Sequence, residues 1–176
     1  MALDFAELVS RAPRTSYSGF GYRQQAPGYE PLRGQGARLL GGRFNHPISY
    51  PVLYLCTTRA CAIAEFRRSA ERQPIGLTGF LPRTLFRYEL ELMSMRDLTE
   101  RAVLAATGID HRILVDEERT MTRQLGEFAF RFGYQGIVDQ SATGVDMVLA
   151  LFPDNLGTGR IVAEVSETWT ELKDLE

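Results

Sequence analysis

Arg43, Tyr54 and Glu65 stand eleven residues apart in succession, and their surroundings place them on a loop, a strand and a helix that can converge on one cleft. Their types suit one kind of chemistry. A guanidinium's planar fork binds two oxygens of an anion and stays charged. A phenol offers a ring for stacking and a hydroxyl for hydrogen bonding. A carboxylate aimed at a reacting centre stabilises positive charge that develops there. Arg23 adds a second guanidinium and Ser141 a hydroxyl. Each also has an ordinary alternative. Glu65 could pair at a helix surface with Arg68 or Ser69. Arg43, after two glycines, could close a turn, and Ser141 near Gly144 could do the same. Tyr54 could be core, and Arg23 one of several loop arginines.

Common catalytic templates do not fit. Gly34-Gln35-Gly36-Ala37-Arg38-Leu39 has leucine where a dinucleotide-binding turn needs its third glycine, with no strand before it and no helix expected after it. The two histidines, His46 and His111, match neither a metal nor a triad spacing. They also leave the acid–base pair of a ribonuclease hard to assemble. Ser141, in Gln140-Ser141-Ala142-Thr143-Gly144, is not in a nucleophile elbow.

The 176 residues suffice for one domain with a real core, with 44% apolar and 24% charged residues. A formal net charge of -2, with both signs mixed along the chain, argues against a general nucleic-acid or membrane surface. It leaves room for a local arginine cluster around a phosphate. Cys56 and Cys61 suggest neither a zinc site nor a disulfide scaffold, so a reduced compartment is expected. The start of the chain is acidic where a signal peptide would be basic, and no apolar run approaches membrane-spanning length. The expected location is the cytoplasm.

The elements that must position these residues are readable in part. Leu3, Ala6, Leu8 and Val9 predict a short helix over residues 3–10. From Arg11 to Pro51 periodicity fades, and a long functional loop rich in aromatics is expected. Val52–Leu55 reads as a buried strand, followed by a helix capped by Thr57 or Thr58 and running to about Arg72. Residues 85–92 alternate as a half-exposed strand. Asp97 with Glu100 predicts a capping box for a helix ending at Gly108. A helix over 116–132 should stop at Gly133, with Glu127 and Arg131 as a solvated i,i+4 pair. Strands are expected at Gly136–Asp139, Met147–Phe152 and Ile161–Val165. This order points to an α+β domain with a mixed sheet and flanking helices.

Several blocks together resemble the RES domain. They are Tyr22-Arg23, Arg38-Leu39-Leu40-Gly41-Gly42-Arg43-Phe44-Asn45, the strand with Tyr54, Ala62-Ile63-Ala64-Glu65, Gly136-Ile137-Val138-Asp139-Gln140-Ser141 and Leu149-Ala150-Leu151-Phe152-Pro153. They occur in the family's order over about residues 20–165. Phe44 replaces the family's usual tryptophan, and His46-Pro47-Ile48-Ser49-Tyr50 lacks its common glycine.

The resemblance implies a single domain akin to ADP-ribosyltransferases of the diphtheria-toxin type, and a toxin that degrades NAD+ with water or phosphate as acceptor. It implies no prosthetic group or metal, an Xre-type helix-turn-helix antitoxin as partner, and no direct contact with nucleic acid or membrane; a homodimer stays open. Transfer of ADP-ribose to a protein and an inactive NAD- or partner-binding module are the alternatives. In such a reaction nicotinamide leaves as a neutral base, so the transition state needs help for an oxocarbenium ion rather than a strong acid. Glu65 is the candidate for that help. Arg23 and Arg43 would hold the pyrophosphate, Tyr54 would stack on nicotinamide, and Ser141 would bond a ribose hydroxyl, phosphate or water.

Overall fold

The structure, a computed structural model, describes residues 12–100, 104, 109–115 and 117–176. Its strands are β1 (Thr15–Gln25), β2 (Leu53–Cys56), β3 (Arg83–Asp97), β4 (Gly136–Gln140), β5 (Met147–Leu151) and β6 (Arg160–Trp169). The helices are α1 (Gln35–Leu40), α2 (Arg59–Glu71), α3 (His111–Val115) and α4 (Thr120–Arg131). The strands follow one another as β1-β2-β5-β4-β3-β6, and a further pairing of β1 with β3 closes the first five into a barrel. Only β3 and β4 run parallel, so the sheet is mixed and the architecture α+β.

Alternation builds the barrel. Leu53 and Leu55, Leu149 and Leu151, Val138, and Tyr88, Leu90 and Leu92 form one buried cluster, while Glu89 and Glu91 face water. A two-residue period puts such side chains on one face of each strand, and each fully buried aliphatic contributes about 1.5–3 kcal/mol. The other face carries Tyr54, Ile137 and Ala150, which register with one another across β2, β5 and β4. There α4 packs Leu125 and Ala129 against Phe44, Val52, Ile137 and Phe152. Further along, α2 packs Cys61, Ala62 and Phe66 against Cys56, Leu85 and the buried Trp169. The described residues contain no helix long and apolar enough to cross a membrane.

Three expectations are corrected. Residues 11–51 are not one long loop, since they contain β1 and α1. The barrel side of β1 carries Gly19 and Gly21 where a strand pattern would show apolar side chains. A Cβ at Gly21 would lie 2.7 Å from Leu55 Cδ1, so a side chain there would have to displace Leu55. Strands β3 and β6 are longer than expected because β3 is shared, by β1 on one edge and by β6 and then β4 on the other. The helix expected from residue 116 starts at Thr120, where the Glu118 carboxylate accepts the Thr120 N–H at 3.0 Å.

Other boundaries agree closely. Thr58 caps α2 by accepting the Cys61 N–H at 3.1 Å. Gly133, at φ 73°, takes the left-handed position after α4. The helix expected over residues 3–10 lies outside the described residues. So does most of the one expected to end at Gly108. Asp97 accepts from the Thr99 N–H at 2.7 Å, turning the chain as β3 ends.

Candidate active site

The loop after α1 presents Arg43. Gly42 lies flat on the Tyr54 ring, since a Cβ there would come within 2.5 Å of the Tyr54 hydroxyl. That hydroxyl accepts the Phe44 N–H at 2.8 Å and donates to Asn45 Oδ1 at 2.9 Å. Asn45, wholly buried, donates in turn to the Ala37 carbonyl at 2.7 Å. From the opposite side α4 touches the loop backbone, and a Cβ at Gly126 would lie 1.8 Å from the Phe44 carbonyl oxygen. Tyr50 donates to that oxygen at 2.7 Å. Desolvation by burial raises the Tyr54 phenol well above its usual range, so it stays a neutral donor.

Arg43 is tied down at one end. Its Nη1 donates to Asp139 Oδ2 and to the Gln140 carbonyl, both at 3.0 Å. Asp139 is 0% exposed, and its other oxygen accepts the Gln140 N–H at 2.7 Å. A buried carboxylate needs such partners. Anchored through Nη1, the guanidinium keeps Nη2 and Nε for a ligand.

Glu65 and Ser141 meet directly. Ser141 Oγ donates to Glu65 Oε1 at 2.7 Å and lies 2.6 Å from Thr143 Oγ1. The Thr143 N–H donates to Ser141 Oγ at 3.1 Å, so the serine hydroxyl is fully engaged. The same turn is bound to the start of α2, because Thr58 Oγ1 donates to Asp146 Oδ2 at 2.6 Å. Both ends of the Glu65–Ser141 contact are thereby fixed.

Arg23, Arg43, Tyr54 and Glu65 line one cleft of about 640 Å³, with Ala142 at its edge. Ser141 lies beneath, 2% exposed, and reaches the cleft only through Glu65. Tyr54 likewise has its hydroxyl committed to the loop, which leaves its ring facing the cleft. Glu65 does not pair with Ser69 or Arg68 as a surface carboxylate would. Burial pushes the Arg23 guanidinium below its usual value, opposed by the neighbouring Tyr88, whose own phenol is raised by burial to about 12. A second depression, lined in part by residues 46–51, contains Glu127 and Arg131, paired at 2.6 Å, and none of the five candidates.

Four contributors escaped the sequence reading: Asp139, Asn45, Gly126 and the arginines along α2. Asp139 had a signal, an acid within the apolar strand Gly136-Ile137-Val138, which requires a buried partner. Gly126 is a glycine inside a helix, a costly choice that points to close approach by another backbone. Asn45 closes the Gly-Gly-Arg-Phe-Asn block that resembles the RES domain, and Arg68 entered only as a surface partner for Glu65.

The family model of the RES domain matches residues 10–171. The chain belongs to the RES domain family. Among relatives of this RES protein are the proteins named NAD(+) phosphorylase MbcT of Mycobacterium bovis and Mycobacterium tuberculosis. Each is 23% identical over 142 residues, covering 80% of this chain and 76% of the relative. The RES protein also resembles a chain in the crystal structure of the M. tuberculosis MbcT–MbcA toxin–antitoxin complex, with TM-score 0.77, 20% identity and 94% of both chains covered. At that identity the likeness speaks for the fold alone.

Proposed function

We propose that this RES protein cleaves the nicotinamide–ribose bond of NAD+ and acts as the toxin of a toxin–antitoxin pair. The observation that carries the reading is Glu65, held by Ser141 at the wall of a cleft into which the anchored Arg43 projects. The names of its relatives agree with it.

In this reading Arg43 and Arg23 hold the pyrophosphate and the Tyr54 ring lies against nicotinamide. The C1′–N bond breaks with its electron pair passing to the nicotinamide nitrogen, which leaves neutral. Glu65 stabilises the oxocarbenium ion on the ribose. An oxygen of phosphate or water then bonds to C1′, giving ADP-ribose 1″-phosphate, or ADP-ribose and a proton. Ser141 acts through Glu65, fixing its rotamer. A barrel with an outer-face cleft suits the ADP-ribosyltransferase-like architecture implied by the resemblance. An Xre-type antitoxin would block the cleft mouth, and the cytoplasm would supply the substrate.

Purified protein free of antitoxin should release nicotinamide from NAD+, and product analysis with and without phosphate names the acceptor. NAD+ left unchanged under both conditions would refute the reading. Glu65→Gln should lower kcat by about 10²-fold or more while the protein stays folded.

A further inference from the structure

We propose that Arg68, Arg72 and Arg119 form a second anion subsite in the cleft, taking a phosphate dianion in addition to a dinucleotide's pyrophosphate. The inference rests on the NAD+ reading above and deepens it.

Among the described residues, six arginines and two glutamates line the cleft. Arg43 is already neutralised by Asp139, and Arg23 is partly desolvated beside Tyr88. A nicotinamide dinucleotide brings only two phosphate charges, partly offset by its own pyridinium. The lining carries more positive charge than that ligand requires.

The surplus is localised. Arg68 follows Glu65 by three residues, which puts both on one face of α2, and Arg72, seven residues on, is the C-cap of the same helix. At 1.5 Å per residue they stand about 4.5 and 10.5 Å from Glu65 along the axis. Arg119 comes from a second element, just before α4, and Arg72 is tied to that segment by its ion pair with Glu117 at 2.7 Å. Among the described residues, the side chains of Arg68 and Arg119 have no hydrogen-bond or ion-pair partner. Unsatisfied planar forks converging from two elements match the oxygens of a phosphate better than any base or ribose. Two sources share that chemistry: the 2′-phosphate of NADP+ and free inorganic phosphate.

The test compares the wild-type chain with an Arg68→Gln/Arg119→Gln double variant by calorimetry and by rate. Calorimetric ligands are 2′,5′-ADP, 5′-AMP and inorganic phosphate. Wild type should bind 2′,5′-ADP at least tenfold more tightly than 5′-AMP, or bind inorganic phosphate, and the variant should lose that preference or that binding with its melting temperature unchanged. Loss of the 2′-phosphate preference, with a matching fall in the NADP+ to NAD+ ratio of kcat/KM, assigns the subsite to the dinucleotide. Loss of phosphate binding and of phosphate-dependent rate assigns it to the free anion. A wild type with neither behaviour, or a variant that keeps it, overturns the subsite. If neither dinucleotide is consumed yet the double variant abolishes wild-type anion binding, the subsite stands and the NAD+ reading fails.

Discussion

On one side of the cleft the Gly41–Asn45 loop is held by Tyr54, Tyr50, its own Asn45 and the backbone of α4, with Phe44 and Asn45 wholly buried. On the other side Arg68, Arg72 and Arg119 have one exposed ion pair between them, whose partners are 45% and 77% accessible. The first wall is preorganised, so Arg43 would meet the proposed ligand without reorganising. The second is left loose, and a ligand would have to order it. In the proposed reaction the rigid wall would lie beside the bond to be broken and the adaptable one further out.

The comparison can be broken most severely at Asp139. Removing the carboxylate strands a partly buried guanidinium, so Asp139→Ala should destabilise the protein by about 3–5 kcal/mol in a denaturant titration and weaken NAD+ binding. A change below 1 kcal/mol would mean that the loop wall is not rigidly held. Gly126→Ala, which pushes a methyl against the Phe44 carbonyl, should cost about 1–3 kcal/mol and raise KM by displacing Arg43. An unaltered KM together with lower stability would separate packing from function. Ser141→Ala removes the hydrogen bond to Glu65, worth about 1.5 kcal/mol, and should lower kcat roughly tenfold with little change in KM. A shift confined to KM would place Ser141 against the substrate instead. The smallest effect is expected at the loose wall, where Glu117→Gln should change stability by less than about 1 kcal/mol. A larger loss there would show both walls to be rigid.

Legibility in the sequence followed the range of the interaction. The α2 cap at Thr58, the glycine stop at Gly133 and the alternation of β3 depend on near neighbours, and they lie where local rules put them. β1 was hidden because barrel closure replaced its inward side chains with Gly19 and Gly21, erasing the periodic signal. The site divides in the same way. Arg43, Tyr54 and Glu65 were visible as a spaced set whose order matches the RES domain. The hydroxyl of Ser141, expected from the sequence to bond a ligand, instead locks Glu65, and that of Tyr54 locks Asn45.

By itself the sequence determined the family and the α+β class and named candidate side chains for the chemistry, because residue types and local periodicity are written along the chain. Tertiary structure alone decided which of them touch. Asp139 reaches Arg43 across 96 positions and Ser141 reaches Glu65 across 76. Contacts at such separations leave no local pattern, since they exist only once the barrel has brought the ends of β2 and β4 beside α2.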